Sequence, residues 1–191
     1  MMNSPARLAT QRWMDVRLFK RHCRGLQGRK ALEMGIGRGR GMGLILEHFG
    51  PRAVDGFDLD PDMVVKAAHY LKNKKGQVWV GDACHMPVKT ASYSAVFDFG
   101  IIHHIPNWQQ ALAETARVLE PGGRFFSFEM LSGFIDHPLS RALLDHPQQE
   151  RFDHAAYCLA LQQEGFRLIE HSHLGQVCGW YVAERQQDDN G

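Results

Sequence analysis

The 191-residue sequence has no cysteine pair at C-x-x-C spacing: Cys23, Cys84, Cys158 and Cys178 are scattered. That excludes a disulfide framework and reads as free thiols in a reducing compartment. An excess of charge is missing too. The formal net charge is +1, which provides neither a basic field for nucleic acid nor an acidic tail. No apolar run approaches the roughly 18 residues of a membrane span, and the N-terminus has no signal-peptide core. Internal repeats and low-complexity segments are absent. What remains is ordinary globular composition, 44% hydrophobic and 23% charged, at a length suited to one domain. A cytoplasmic protein is expected, monomeric or homodimeric, with no nucleic-acid partner and no membrane span.

One further absence sorts nucleotide-binding loops. Residues 30–41 run from a short apolar strand into glycines at every second position, Gly35, Gly37, Gly39 and Gly41, with Glu33 at the strand end. Glycine lets the backbone take positive φ and lets a ligand approach the main chain. A dinucleotide fingerprint requires G-x-G-x-x-G/A, but the third position is Arg40, Met42 or Leu44, depending on the starting glycine. A pyrophosphate is also repelled by a carboxylate at Glu33, whereas a ligand carrying an ammonium and a sulfonium is attracted. The pattern Glu-x-Gly-x-Gly-x-Gly resembles motif I of the class I S-adenosylmethionine (SAM) methyltransferases.

Strand and helix signals alternate from residue 30 onward. Strands are expected at 31–34, 53–58, 77–80, 94–100 and 124–130, and helices at 42–49, about 61–74 and 108–119. Asp60-Pro61 reads as an N-cap followed by proline at the first helical position. Glu120-Pro121-Gly122-Gly123 reads as a turn, and Asp153 as the cap of a helix ended by Gly165. The segments 167–174 and 177–185 alternate like two strands joined at Gly175. Such βα alternation implies a parallel sheet with helices on both faces. The resemblance makes this a Rossmann-like α/β fold, seven-stranded and mostly parallel, with an antiparallel last strand. The whole chain is expected to be one methyltransferase domain. It divides into an N-terminal helical lid (1–27), a SAM-binding core (28–130), a lid segment, helix and closing strand pair (131–185), and a disordered tail (186–191).

In open α/β sheets, ligands sit beyond the carboxyl ends of the strands. Asp58 closes the second strand, where a carboxylate can accept from both ribose hydroxyls, and Leu59 can cover adenine. At the third strand end, Asp82 can accept from the adenine amino group while the Ala83 N–H faces a ring nitrogen. The segment Phe97-Asp98-Phe99-Gly100-Ile101-Ile102-His103-His104 resembles the family's fourth-strand motif, which implies that carbonyls near Phe99 and Gly100 hold the methionine ammonium. Ala113-Glu114-x-x-Arg117-Val118-Leu119-x-Pro121-Gly122-Gly123 resembles the helix and turn before strand five. Five motifs in order over residues 28–130 imply a SAM-dependent methyltransferase of the small-molecule, type 11-like branch. The cofactor residues carried over are Glu33, Gly35, Gly37, Gly39, Asp58, Leu59, Asp82, Ala83, Phe99 and Gly100.

Methyl transfer from a sulfonium needs orientation, proximity and a dry site, and an acidic O, C or S nucleophile is helped by a base. His104 is the candidate base. Trp13, Phe19, His103, Glu129, Met130 and Phe134 are candidate acceptor contacts, and one of Arg38 and Arg40 can pair with the methionine carboxylate. The Asn/Asp-Pro-Pro-Tyr/Phe motif is absent after strand four, which argues against exocyclic amines as acceptors. Among eleven histidines, His171-x-His173 can share a strand face, but no acidic or cysteine partner lies at zinc-site spacing, so no metal is expected. The competing readings are a catalytically silent SAM-binding regulatory protein and an NAD-dependent oxidoreductase.

Overall fold

A computed structural model describes residues 15–23, 25–72, 74–135 and 151–187. After a short helix α1 (Val16–Lys20), the chain forms β1 (Lys30–Met34), α2 (Arg40–His48), β2 (Ala53–Asp58), α3 (Pro61–Tyr70), β3 (Val78–Val80) and β4 (Tyr93–Phe99). It continues through a 3₁₀ turn (Ile102–His104), α4 (Trp108–Val118), β5 (Leu119–Met130), α5 (Ser132–Ile135), α6 (His154–Gln163), β6 (Phe166–Leu174) and β7 (Cys178–Arg185). The seven strands form one sheet in the order β3-β2-β1-β4-β5-β7-β6. β7 is antiparallel to both of its neighbours, while β1 to β5 pair in parallel. The chain leaves β1 toward β2 on one side and returns to β4 on the other, which opens a crevice at the carboxyl ends of β1 and β4.

Both faces of the sheet are covered, so its central strands read as continuous rather than alternating apolar runs. Every residue of β4 is buried. Ala95, Phe97 and Phe99 face one layer, where Phe97 stacks on Phe126 (4.7 Å) and Phe49 (5.3 Å). Val96 faces the other, with Trp108, Leu112, Phe125 and Tyr157. Fully burying each phenylalanine contributes about 1.5–3 kcal/mol.

The structure adjusts several expected boundaries. α3 ends at Tyr70 rather than near Lys74 because residues 75–77 already serve β2: Val54 N–H donates to Lys75 O (3.1 Å) and Gly56 N–H to Gln77 O (2.8 Å). The Glu120–Gly123 turn is absorbed into β5 as a register shift, with Tyr93 opposite Leu119 but Ala95 opposite Arg124. Two of the expected caps form, those of Asp60 and Asp153, whereas the side chain of Asn107, expected to cap α4, makes no capping hydrogen bond. Asp60 accepts from Asp62 N–H and Asp153 from Ala156 N–H, both at 2.8 Å. Within the expected lids only α1, α5 and adjoining turns are described; Trp13, most of 131–151 and the end of the tail lie outside the described residues.

Candidate active site

A cavity of about 750 Å³ opens at the carboxyl ends of the strands, between the glycine loop, the end of β2, the loop after β3 and the 3₁₀ turn after β4. Its walls are mainly apolar, with Phe57, Leu59, Ile101 and Ile105 among them. The backbone takes positive φ at Gly35 (63°), Gly37 (50°) and Gly39 (79°). At Gly35 space is limiting as well, since a Cβ there would lie 2.4 Å from Ile101 Cγ2. Asp58 lines the wall, half-buried, and its carboxylate is already oriented: Oδ2 accepts from Gly37 N–H (2.8 Å) and Oδ1 from Asp60 N–H (3.0 Å). An ionised carboxylate has about four lone-pair sites, so acceptor capacity remains for hydroxyls in the cavity. Leu59 beside it is 73% exposed, an apolar side chain in want of a flat partner.

Glu33, Asp58 and Asp98 gather at the ends of three adjacent strands. Burial pushes the Glu33 carboxyl well above its usual range, with the charges of Asp98 and Asp58 adding to the rise and a hydrogen bond from the Met42 backbone opposing it. Glu33 Oε2 is buried without a hydrogen-bond partner among the described residues. The carboxylate also explains Gly41, where a Cβ would come within 2.0 Å of Glu33 Oε1. Around this glycine-walled crevice Asp58 faces the cavity, and Glu33 and Asp98 are buried acids that a bound cation would help to ionise, an arrangement that suits a cation and opposes a pyrophosphate. An orphan buried acceptor, a ribose-competent carboxylate and that arrangement together fit SAM.

The loop after β3 is shaped by local and long-range bonds. Asp82 Oδ1 accepts from Cys84 N–H (2.8 Å), which turns the chain so that Ala83 and Cys84 line the cavity. The residues beyond are pinned to α4. Arg117 forks onto Glu114 (2.6 and 2.8 Å) and donates to the carbonyls of Met86 and Val88, while Glu114 accepts from Met86 N–H. The Glu114/Arg117 motif is therefore scaffolding for the cavity floor.

Beyond β4 and β5 lies a buried polar network. Asp98 Oδ1 accepts from Gly100 and Ile101 N–H (2.9 Å each), and its Oδ2 from Ser127 Oγ (2.8 Å), which in turn meets Tyr157 OH (2.8 Å). Glu129 accepts from Ile102 N–H (2.7 Å) and pairs with the His103 ring through Nδ1. These bonds fix the 3₁₀ turn, bury His103 and leave His104 half-buried on the cavity wall, its ring 4.1 Å from that of His103.

Burial, and then the charge of Glu129, push Asp98 well above the ordinary carboxylate range. The folded state thus keeps a proton that the unfolded chain releases. This contribution is fully present below the unfolded carboxyl pKa and is lost as pH rises toward the raised value. The slope is about 1.4 kcal/mol per pH unit where the difference is one proton. Asp98→Asn, which mimics the protonated acid, is expected to flatten the decline in urea-melt stability above pH 5 without removing Glu33's share of it. An unchanged slope would mean that Asp98 does not hold the proton.

Of the residues expected from sequence, Gly35, Asp58, Leu59, Asp82, Ala83 and His104 border the cavity. Gly37 and Gly39 form the loop behind it, Glu33 is buried at its base, and Phe99 and Gly100 are buried at the end of β4. Among the acceptor candidates, Phe19 is wholly buried against Phe99 and Phe126, where it serves the core. His103 and Glu129 are buried behind the wall as each other's partners. Met130 and Phe134 are half-buried on β5 and α5 and do not border the cavity. Arg38 and Arg40 line a separate depression with Lys66 and His69. Sequence reading assigns no site role to Cys84, Ile101, Ile105 or Asn107, although each lies within or directly beside a motif it locates.

A doubly wound sheet with a reversed seventh strand and a cation-suited crevice at the switch point defines a class I methyltransferase fold. The fold is shared, at a TM-score of 0.78 and 18% identity over 97% of both chains, with a chain from the complex of the Haloferax volcanii Trm112 methyltransferase activator and its methyltransferase. A family described as methyltransferase domain matches residues 32–127, and the chain belongs to that family, whose methyl donor is SAM. It is 32% identical to the fatty-acid O-methyltransferase of Mycolicibacterium smegmatis, covering 65% of this chain and 45% of that enzyme. It is also 32% identical to the phthiotriol/phenolphthiotriol dimycocerosates methyltransferase of Mycobacterium leprae, covering 51% of this chain and 36% of that one. The match thus spans less than half the length of these curated relatives.

Proposed function

We propose that the chain transfers a methyl group from SAM to a small, largely apolar acceptor through an O, C or S nucleophile. The observation that carries this reading is the cavity itself, with an oriented Asp58 and the three-acid cluster on one side and His104 on another. SAM, when bound, supplies an already activated methyl group on its sulfonium. Asp58 accepts the ribose hydroxyls, Leu59 covers the adenine face, and the Asp82-Ala83 turn meets the adenine edge. Glu33 answers the cationic end, with backbone groups near Phe99 and Gly100. The apolar wall of Ile101 and Ile105 excludes water and seats the acceptor, and His104 takes the acceptor's proton. The acceptors that the two relatives are named for, a fatty acid and phthiotriol/phenolphthiotriol dimycocerosates, support an apolar substrate class.

The test incubates the chain with methyl-labelled SAM and a panel of fatty acids, isoprenoids and polyketide-type alcohols, and reads label in the organic extract. Calorimetry run alongside compares SAM with NADH. SAM binding with label transfer is expected. Binding without transfer to any acceptor would favour a silent SAM-binding protein, and preference for NADH would overturn the reading. In the same assay, Asp58→Ala is expected to weaken SAM binding about 10- to 150-fold, the 1.5–3 kcal/mol typical of hydrogen bonds to a charged group. Undiminished affinity would remove Asp58 from the site.

A further inference from the structure

Far along the chain from the glycine loop, α6 lies against the outer strand β6. Asp153 caps α6, so His154 and Cys158 fall one helical turn apart on one face. On β6, His171 and His173 share a face by the two-residue period of a strand. The fold brings these pairs together. The His154 ring lies 4.0 Å from that of His173 and 5.1 Å from that of His171, and one ligand atom each from His154, Cys158 and His171 falls within a 4.8 Å span. Among the described residues no other group of histidines, cysteines and acids meets that condition, and none of these side chains borders the cofactor cavity.

We propose that His154, Cys158 and His171 form a binding site for a divalent transition-metal ion of the zinc class. Two imidazoles and a thiolate are the donors that such borderline ions prefer over carboxylate and carbonyl oxygen. The spacing agrees with coordination. In a tetrahedral site with metal–sulfur near 2.3 Å and metal–nitrogen near 2.0 Å, sulfur and nitrogen stand roughly 3.6 Å apart. Cys158 Sγ lies 3.7 Å from His154 Nε2.

The ring is also held as a ligand should be. His154 Nδ1 meets Tyr181 OH at 3.1 Å, which tethers the imidazole beside the thiol. Cys158 Sγ stands 3.7 Å from Nε2 and 4.0 Å from Nδ1, so a turn of the ring aims Nε2 at a metal held by Cys158. Tyr181 is also the cross-strand partner of His171, so the register of β6 on β7 sets His171 beside the residue that holds His154. Burial, and then the charges of His173 and His171, hold His154 below the ordinary imidazole range, in the neutral form that offers a lone pair. Burial raises Cys158, so the free thiol is protonated. Binding breaks the S–H bond, forms the sulfur–metal bond and releases the proton to solvent, with no change of oxidation state. The fourth position is left to water on the exposed side of β6.

Co²⁺ titrated into the untagged, chelator-treated chain reads the site directly. One equivalent is expected to give a saturable thiolate-to-cobalt charge-transfer band with tetrahedral ligand-field absorption, and Zn²⁺ is expected to bleach both. Cys158→Ser should lose the charge-transfer band. His171→Ala, at an exposed position that leaves the core intact, should weaken Co²⁺ binding by roughly tenfold or more. Zn²⁺ at a hundredfold excess over its dissociation constant should raise the Tm by about 5–10 °C in the parent and not in Cys158→Ser. A parent without a saturable band, or a band that survives in Cys158→Ser with native circular dichroism, would overturn the site.

Discussion

Gly35→Val is expected to abolish SAM binding while leaving the far-ultraviolet circular dichroism of the parent. Two penalties act at this residue. Its φ of 63° is a left-handed conformation, which costs an L residue roughly 1–2 kcal/mol and a β-branched one more. The added Cβ would also lie 2.4 Å from Ile101 Cγ2. Ile101 has little freedom to yield, because its N–H is held by Asp98 Oδ1 at 2.9 Å, so the side chain must be driven into the cavity that both residues line. Calorimetric affinity should fall by more than roughly a hundredfold, more than the backbone term alone provides. Gly122→Ala separates the two penalties. Gly122 has a comparable φ of 75°, but a Cβ there meets nothing within 4 Å, and the residue is not part of the cavity wall. That variant is expected to lose a little stability and no SAM affinity. Parent-like binding by Gly35→Val, with an intact spectrum, would place the cofactor somewhere other than the glycine loop.

What the sequence made legible follows from the range of each interaction. The strand, glycine loop and helix over residues 30–48, the Asp60 and Asp153 caps and the hairpin at Gly175 are set by residues within a few positions of one another. Their types could be read before their partners were known. Asp58 belongs with these, because the end of a strand at the switch point is defined by local pattern and general topology. Interactions between distant segments were hidden. Phe19 reads as an apolar position on an amphipathic helix, and only the packing shows it seated on Phe99 and Phe126. Glu129 reads as a strand-end acid, and only the pairing of β4 with β5 brings it to His103 and to the backbone of Ile102. Arg117 carries a family motif whose purpose, tying the loop after β3 to α4, is visible only in three dimensions. Along the chain His171-x-His173 has no acid or cysteine at zinc-site spacing, yet Cys158 reaches His171 from a different element. Spacing rules describe one helix or one strand at a time and cannot say which faces will be opposed.

His104→Ala is expected to lower kcat by about 10²–10⁴ and to leave SAM affinity at the parent's value. The residue is placed for this by its neighbours. Glu129 holds the N–H groups of Ile102 (2.7 Å) and His103 (3.2 Å) as well as the His103 ring. The 3₁₀ turn therefore cannot rotate, and of the two adjacent histidines it is His104 that borders the cavity. In the proposed mechanism Glu129 and His103 are positioning residues, because of these three side chains His104 alone borders the cavity. The distinguishing readout is the split between kcat and KM together with the pH profile. Loss of a general base lowers kcat and removes the limb that an imidazole base contributes to the pH–rate profile. Loss of a wall residue instead raises KM for the acceptor and spares both. An acceptor whose nucleophile is already ionised, such as a fatty-acid carboxylate, sharpens the comparison because it has no proton to give up. With such an acceptor His104→Ala should cost little, whereas with an alcohol of similar chain length it should cost the full factor. Equal loss on both acceptors would assign His104 to the shape of the pocket, and methyl transfer here would then rest on proximity and exclusion of water alone.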